Sequence, residues 1–484
     1  MLTSSSRALP EFSAFAALAV DTADRLDGEV AIRGTLPPAL HGVLFRNGPG
    51  RFSRGGRTKR TLLDGDGVVQ RLRLEDGQAH YARRFVRTPK LAAEAAADRF
   101  LSPTWTSKAP GLLSNFGQHM QSQAGVTAYK VNGRLLALDE VAPGFELDPD
   151  TLETLGPTVL GLPDGDDGPK AHARQIPATG DWIFTSTRMG MKGMLIDLVR
   201  RRADGSTAAT PTVTAPRMTY VHDFAATERF AVFILHPAHV HGLRYLAGLA
   251  SLTECLEWRP ALGNLVLLID LATGGTQTFE APSAWCWHMA NAHEAGSDVV
   301  LDFIGYDEPG HFIGPDAQLA AVMRGEDGVR GAPGQLRRYV LQRTTGRLTE
   351  MVLSEGSYEF PSIDNRSTGE AHGRVYMTCG SQSGVAHSGV AALDARTGRL
   401  DAFDFGPHAN AGEPIFAANP AGAADEGWII TQVLDMTSSE TAFAVLNAGR
   451  LAEGPVATIG LGEPMPISFH GHWVAANQSI GKSL

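Results

Sequence analysis

Cysteine is scarce in this chain of 484 residues: Cys255, Cys286 and Cys379 are the only three, odd in number and widely spaced. That excludes a disulfide framework and suits a reducing compartment, so a cytoplasmic location is expected. Long apolar runs are also lacking, and nothing approaches the ~20 residues that a membrane-spanning helix needs. The stretch FSAFAALAV near the start follows a single Arg7 and lacks a clear small-residue cleavage site, so it reads poorly as a signal peptide. An excess of basic charge is missing too: 42 Lys and Arg face 52 Asp and Glu, a net charge of −10. Sequence-independent nucleic-acid binding needs basic surface to displace phosphate counterions, so no nucleic-acid partner is expected. No Gly/Ser-rich linker or charge run separates two halves of the chain.

Glycine and proline, by contrast, are abundant (54 and 28), and the apolar segments between them are short. Such a pattern favours many strands and turns. One unit recurs, a strand, a turn with Gly and another strand, as in LVLLIDLATGGTQTF, YVLQRTTGRLTEMVL and VAALDARTGRLDAFDF. The turn glycines Gly346, Gly398 and Gly449 lie 52 and 51 residues apart, and Gly274 precedes the first by 72. Four-stranded propeller blades repeat at about 40–50 residues, so an all-β propeller is favoured over a sandwich. One domain over residues 31–484 is expected, after an N-terminal extension of residues 1–30. Two segments, 91–123 and 238–258, break the strand rhythm and read as helical excursions above one propeller face. Their Leu, Phe and Trp residues suit a cap packed on its own domain, a cover over a substrate entrance, or peripheral contact with a membrane surface.

Four of the sixteen histidines stand in strand-like contexts: His172 in GPKAHARQ, His222 in TYVHDFAAT, His288 in CWHMANAHE and His470 in ISFHGHW. They are 50, 66 and 182 residues apart, which no single helix or loop can bridge. In a propeller, ligands from different blades meet on the axis. Four imidazoles there would suit a divalent transition metal such as iron(II), with two octahedral positions left free. Such a site needs carboxylates accepting the second ring N–H of its ligands. Glu140, Glu359 and Glu413 lie in apolar strand contexts where an unpaired carboxylate would be costly. Composition alone does not select these four histidines.

The selection comes from a resemblance. GTLPPALHGVLFRNGPGRF, LLDGDGVVQRL, YVHDFAAT, HMANAHE, EFPSID, GEPIF and FHG occur in this order from about residue 34 onward. Together they resemble the carotenoid cleavage oxygenase family, non-haem iron proteins that split alkene double bonds. The resemblance implies a seven-bladed β-propeller with a helical or loop cap over the active-site face. It implies one Fe(2+) held by His172, His222, His288 and His470. It pairs Glu140 with His222, Glu359 with His288 and Glu413 with His470, and leaves His172 without a glutamate. His470 is preferred to His472 because the family motif is a histidine followed directly by glycine.

Several positions depart from the family pattern. The first ligand motif reads AHARQIP where a proline and lysine usually follow the histidine. A threonine often found near the vacant iron position falls on Val126, with Thr127 adjacent. The stilbene-cleaving branch places a phenol-binding lysine just before the first glutamate, where Asp139 stands here and would repel a phenolate. An apolar polyene is therefore expected over a hydroxystilbene. The tunnel walls are expected to include Val126, Asp139, Phe224, Trp287, Phe303, Phe360 and Phe469, although strand-borne aromatics equally pack as core.

The expected activity is an iron(II)-dependent dioxygenase that cleaves a carbon–carbon double bond of a carotenoid or apocarotenoid with O2, giving two carbonyl products. No protein residue beyond the metal centre is expected to be catalytic. Competing readings are a lignostilbene-type dioxygenase, a non-oxidative retinoid isomerohydrolase, a calcium propeller hydrolase, and a propeller serving only as a scaffold. Two further clusters read as structural: His236, His239 and His241 in HPAHVHG, where no acidic partner sits nearby in sequence to build a zinc site, and Asp64 and Asp66 in LDGDG, which lack the remaining ligands of a calcium loop.

Overall fold

The computed structural model describes residues 17–111, 115–140, 142–162, 168–209, 211–314, 316–326, 328–380 and 386–476. Seven antiparallel sheets stand around one axis, forming a seven-bladed β-propeller. The second blade runs Thr127–Val131, Arg134–Leu138, Gly144–Leu147 and Thr154–Thr158, and the third is built on Arg174–Ile176, Asp181–Gly190 and Gly193–Arg201. The fourth holds Ala225–Ala226, Phe230–Leu235, Asn264–Asp270 and Thr276–Ala281. The fifth holds Trp285–Ala295, Asp298–Tyr306, Gln335–Gln342 and Arg347–Ser354, and the sixth Ser357–Ser362, Arg374–Gly380, Gly389–Asp394 and Leu400–Asp404. The seventh is built on Gly427–Asp435, Thr441–Asn447 and Pro455–Gly460, with two short inner strands, Ala409–Ala411 and Ile415–Ala418, and Ala31–Gly34 outside.

The first blade closes the ring with distant parts of the chain: Gly42–Arg51, Asp66–Glu75, Gln78–Phe85 and Arg25–Glu29 are joined by Gly471–Ala475. Arg25–Glu29 falls inside the stretch that the sequence suggests as an extension, yet it pairs with Gln78–Phe85 as the outer strand.

Blades stack face to face, so their middle strands are covered on both sides and lose the apolar–polar alternation of a half-exposed strand. Phe230–Leu235 (FAVFIL) is buried at every position, whereas the outer strand Arg347–Ser354 has no fully buried residue. The core accordingly lies between neighbouring blades. Phe224, Phe233 and Ile269 of the fourth pack on Ile183 and Ile196 of the third, and Phe303 and Tyr339 of the fifth pack against the fourth.

The recurrent glycines hold equivalent places. Gly274, Gly346 and Gly398 each turn the third strand of a blade into the fourth, with φ of 72°, 70° and 70°, a left-handed conformation that favours glycine. The 72-residue gap between the first two arises from an insertion, residues 307–334, between the second and third strands of the fifth blade. The sequence gives no separate signal for this insertion, and it contributes to the site.

The excursions are less helical than expected. The first contains a helix, Pro89–Ala97, whose N-terminus is capped by the Thr88 side chain, and then mostly irregular chain. The second is a hairpin of Ala238–Val240 with Leu256–Trp258, enclosing the short helix Gly242–Leu246. Asp64 and Asp66 serve the first excursion and no calcium loop. Lys90 of the helix donates to Asp66 at 2.7 Å and to Glu94 at 3.1 Å, Arg54 donates to Asp66, and Thr104 donates to Asp64. Lysine and arginine thus occupy the carboxylates that a cation would need. Among the described residues no helix is long and apolar enough to cross a membrane.

Candidate metal centre

Each blade delivers one residue to the axis. His172, His222 and His470 stand one to three residues before the inner strands of the third, fourth and first blades, and His288 lies on that of the fifth. Glu140 follows a strand of the second blade, Glu359 lies on the inner strand of the sixth, and Glu413 sits between the two inner strands of the seventh. All seven are buried or nearly so.

The four histidines offer ring nitrogens that lie within 4.8 Å of one another. The Nε2 atoms of His172 and His222 are 3.1 Å apart, and those of His222 and His288 are 3.2 Å apart. The opposite ring nitrogens face carboxylates. His222 Nδ1 donates to Glu140 at 2.8 Å, His288 Nδ1 to Glu359 at 2.5 Å, and His470 Nδ1 to Glu413 at 3.0 Å. A neutral imidazole that spends its proton on Nδ1 keeps a lone pair on Nε2. Three such lone pairs, with His172 as a fourth, converge on one buried point, which is repulsive unless a cation stands there. Two imidazoles at right angles on one ion, with bonds of about 2.1 Å, would be about 3 Å apart, close to the spacing seen.

The charges agree with that reading. Burial would raise all three glutamates, but their partners outweigh it. Lys170 and His222 hold Glu140 below its ordinary value, His288 does so for Glu359, and His470 and Arg46 do so for Glu413. Burial, together with the neighbouring rings, pushes His172 well below 6.5 and keeps it neutral, and burial lowers His470. Burial also acts to lower His288, but Glu359 prevails and raises it. Glu140 pairs with Lys170 at 3.2 Å, whereas Glu359 has no basic side chain other than histidine bonded to it, and its Oε1 is buried without a partner. A cation beside His288 would supply the missing charge.

Two supports escape the sequence. Asp223 accepts from Arg174 at 2.7 and 2.8 Å and from the amides of Phe224 and Met289, tying together the chain around His172, His222 and His288. It is also the carboxylate near His172, at 3.7 Å from its Nδ1, which is too long for a hydrogen bond. Arg46, wholly buried in the FRNGPG motif, donates to Ser468, to the Phe469 carbonyl and to the Glu413 carbonyl, fixing the turn that carries His470. In the sequence Asp223 directly follows His222 and Arg174 stands two residues after His172, whereas Arg46 lies far from every ligand, in GVLFRNGPGRF.

Next to the histidines lies a cavity of about 120 Å³ whose walls include Leu63, Trp105, Val126, Trp287, Phe360 and Phe469. Phe360 stacks on His288 with ring centroids 5.1 Å apart. Its φ of 51° is unusual for a bulky residue and accompanies a register shift in the inner strand, so strained backbone places this ring beside the centre. Val126 packs with Ala171 and Phe469.

The remaining expected wall residues lie elsewhere. Phe224 and Phe303 are fully buried between blades, Phe224 against Phe233 and Phe303 against Tyr339, because their side chains point to the neighbouring sheet. Asp139 is 1% exposed and accepts the amides of Gln123, Ala124 and Glu140, so it orders a loop and repels nothing in the cavity. His472 accepts the Lys130 amide and packs on Tyr129 and Trp182, outside the group of four. His241 does have an acidic partner, Glu257 across the hairpin at 2.8 Å, but Arg259 shares that carboxylate. Among the described residues, the four axial histidines are the only cluster of potential metal ligands. A calcium hydrolase would need oxygen ligands where these imidazoles stand.

Two other cavities flank the centre. A polar one reaches His172, His288 and His470 past Arg174, Asp223, Ser362, Asn365 and Glu413. A larger one, about 670 Å³, lies between the two excursions and extends to Glu140, Lys170 and Tyr220. Leu246 and Met189 line it, and these two are largely exposed, as are Phe116, Leu243 and Leu249 in the excursions.

Comparison with known proteins places this geometry. The chain is 28% identical over 456 residues to apocarotenoid-15,15′-oxygenase from Synechocystis sp., covering 91% of this chain and 92% of that protein. It is 26% identical over 484 residues to lignostilbene-α,β-dioxygenase isozyme III from Sphingomonas paucimobilis, covering 93% and 96%. Cobalt-substituted Synechocystis apocarotenoid oxygenase superimposes with a TM-score of 0.89 at 26% identity, covering 96% of this chain and 99% of that one. The family model described as retinal pigment epithelial membrane protein matches residues 19–475, and the chain therefore belongs to that family, within the carotenoid cleavage oxygenases.

Proposed function

We propose that this protein is a non-haem iron dioxygenase that cleaves a carbon–carbon double bond of a carotenoid or apocarotenoid with O2 to give two carbonyl products. The observation that carries the reading is the convergence of four buried imidazole nitrogens on one point beside an apolar cavity. His172, His222, His288 and His470 would hold the iron(II), which when bound supplies the electrons that activate oxygen. Glu140, Glu359 and Glu413 hold the Nδ1 protons of their histidines and so keep the Nε2 lone pairs turned inward. Trp105, Trp287, Phe360 and Phe469 exclude water and hold the alkene still beside the centre. The stilbene branch's phenol-binding lysine is absent from position 139, and Asp139 does not reach the cavity, which favours a polyene.

The exposed apolar side chains near the 670 Å³ cavity would let this face touch a membrane from which a polyene is drawn. Co-sedimentation with phospholipid vesicles, lost in a Leu243→Glu/Leu246→Glu variant, is the expected outcome.

The central test loads the protein with iron(II) without air and then admits isotopically labelled O2 together with an apocarotenoid or a stilbene. Label in both carbonyl products is the expected result. Label in one product alone marks a monooxygenase, and products without label mark a non-oxidative isomerohydrolase.

A further inference from the structure

The polar cavity reaches the histidines and has no part in the reaction proposed above. It holds about 110 Å³ and borders His172, His288 and His470, three of the four axial rings. Its lining also includes Asn365, which is exposed, and Thr368, which is half-buried. The cavity therefore leads from the surface to the imidazoles, past Ser362 of the sixth blade and Arg174 of the third.

Hydrogen bonds decide what such a passage can receive. The Thr368 hydroxyl donates to the Asn365 carbonyl at 3.0 Å, and the Ser362 hydroxyl donates to the Pro414 carbonyl. Each has spent its one proton, so its oxygen can only accept from whatever stands in the cavity. Glu413 accepts from His470 Nδ1 at 3.0 Å and from the Gly471 amide at 2.9 Å, one bond on each oxygen, and an ionised carboxylate has about four such positions. Arg174 would suit an anion, but Asp223 neutralises it at 2.7 and 2.8 Å. The side-chain amides of Gln175 and Asn365 serve either way. A hydrated cation turns the O–H bonds of its water shell outward and needs acceptors along its way, whereas an anion needs donors. This lining suits the cation.

The other cavities suit it less. The one beside Trp105 and Phe360 is walled mostly by carbon, which would strip the shell before the nitrogens could replace it. The cavity of about 670 Å³ touches none of the four histidines, and Lys108, Lys170 and Arg188 on its wall oppose a single carboxylate, Glu140.

We propose that the polar cavity is the route by which a divalent cation reaches and leaves the four histidines. Thr368, Ser362 and Glu413 accept from its water shell, and the shell is exchanged for the nitrogens of His172, His288 and His470 at the inner end. The inference rests on the metal-binding reading of the histidines and holds whichever alkene is cleaved.

The test follows cobalt(II), whose visible absorption changes when imidazole nitrogens replace its water, as it is mixed with the folded metal-free protein. Asn365→Asp adds a negative charge at the mouth and should speed uptake about threefold. Asn365→Lys should slow it by about as much, the scale of one added charge acting on a divalent ion through water. Both effects should fade as salt is added, and both variants should reach the wild-type final spectrum. Lys108→Glu, a change of charge in the cavity between the excursions, should leave the rate as it is. Equal rates in the two Asn365 variants overturn the route, and so does a rate that follows Lys108→Glu instead. A folded protein that takes up no cobalt, while the same chain refolded with cobalt holds one ion, overturns it too. If neither sample holds an ion, the metal-binding reading itself fails and the route falls with it.

Discussion

Two of the cavities at the centre share His288 and His470 and differ in nearly everything else. On one side Trp105, Trp287, Phe360 and Phe469 make a carbon-walled space; on the other Arg174, Asp223, Ser362 and Asn365 make a polar one. The first, mostly carbon-walled, suits an alkene better, and the second sets Arg174 and Asp223 where water or ions can be solvated. A propeller axis is open at both ends, so the side on which chemistry happens is decided by side chains and not by the fold.

The comparison can be broken or sharpened experimentally. The largest effect is expected where the two sides meet: His222→Ala should reduce bound iron and alkene cleavage to background, measured by metal analysis and product chromatography. Next comes acid, which should erase the difference between the sides, because both hold buried neutral imidazoles. His472 on the polar side and His311 and His387 on the apolar side are each held at about 4 by burial. A folded value below the ordinary 6.5 means that the neutral form is the one the fold accommodates. The stability this represents is complete above pH 6.5 and is lost as the pH falls toward 4, up to about 3 kcal/mol per ring at 1.36 kcal/mol per pH unit. Thermal melts between pH 7 and 5 should drop steeply.

On the polar side alone, Asp223→Ala strands the half-buried Arg174 and unties three ligand segments. A loss of about 3–5 kcal/mol in denaturant unfolding is expected, with the preference among substrates unchanged. The smallest effect is expected on the apolar side, where Phe360→Ala should lower kcat/KM for a polyene about 10–100-fold by removing about 1.5–3 kcal/mol of apolar contact, with iron content intact.

Legibility followed the same division. The four histidines and three glutamates could be read because each sits in a compact motif that keeps its order along the chain. The Arg174–Asp223–Met289 tie could not, since its three members come from three blades and meet only in the folded ring. Phe224 and Phe303 were indistinguishable from Phe360 in sequence: all lie on or beside strands, and only the twist of each blade decides whether a ring faces the axis or the next sheet. His311 was invisible because its insertion has no helical or strand period, and the long step from Gly274 to Gly346 was its single trace. The blade count was less legible than the metal motifs, for the repeat shows only in the last four blades.

The strand Gly471–Ala475 completes a blade begun some 400 residues earlier, and His470 stands at its threshold. A ring of sheets has one seam, and here the seam and the fourth imidazole arrive together. During synthesis the other three donors emerge long before the last, so the four-imidazole site is complete only once the chain that closes the ring is present. An ion held by His470 together with His172, His222 and His288 would work as a clasp across that seam, constraining a loop of about 300 residues whose closure would otherwise rest on packing alone. Amide exchange in Gly471–Ala475 should therefore report the clasp, slow in the metal-loaded protein and fastest of any inner strand once the ion is stripped away.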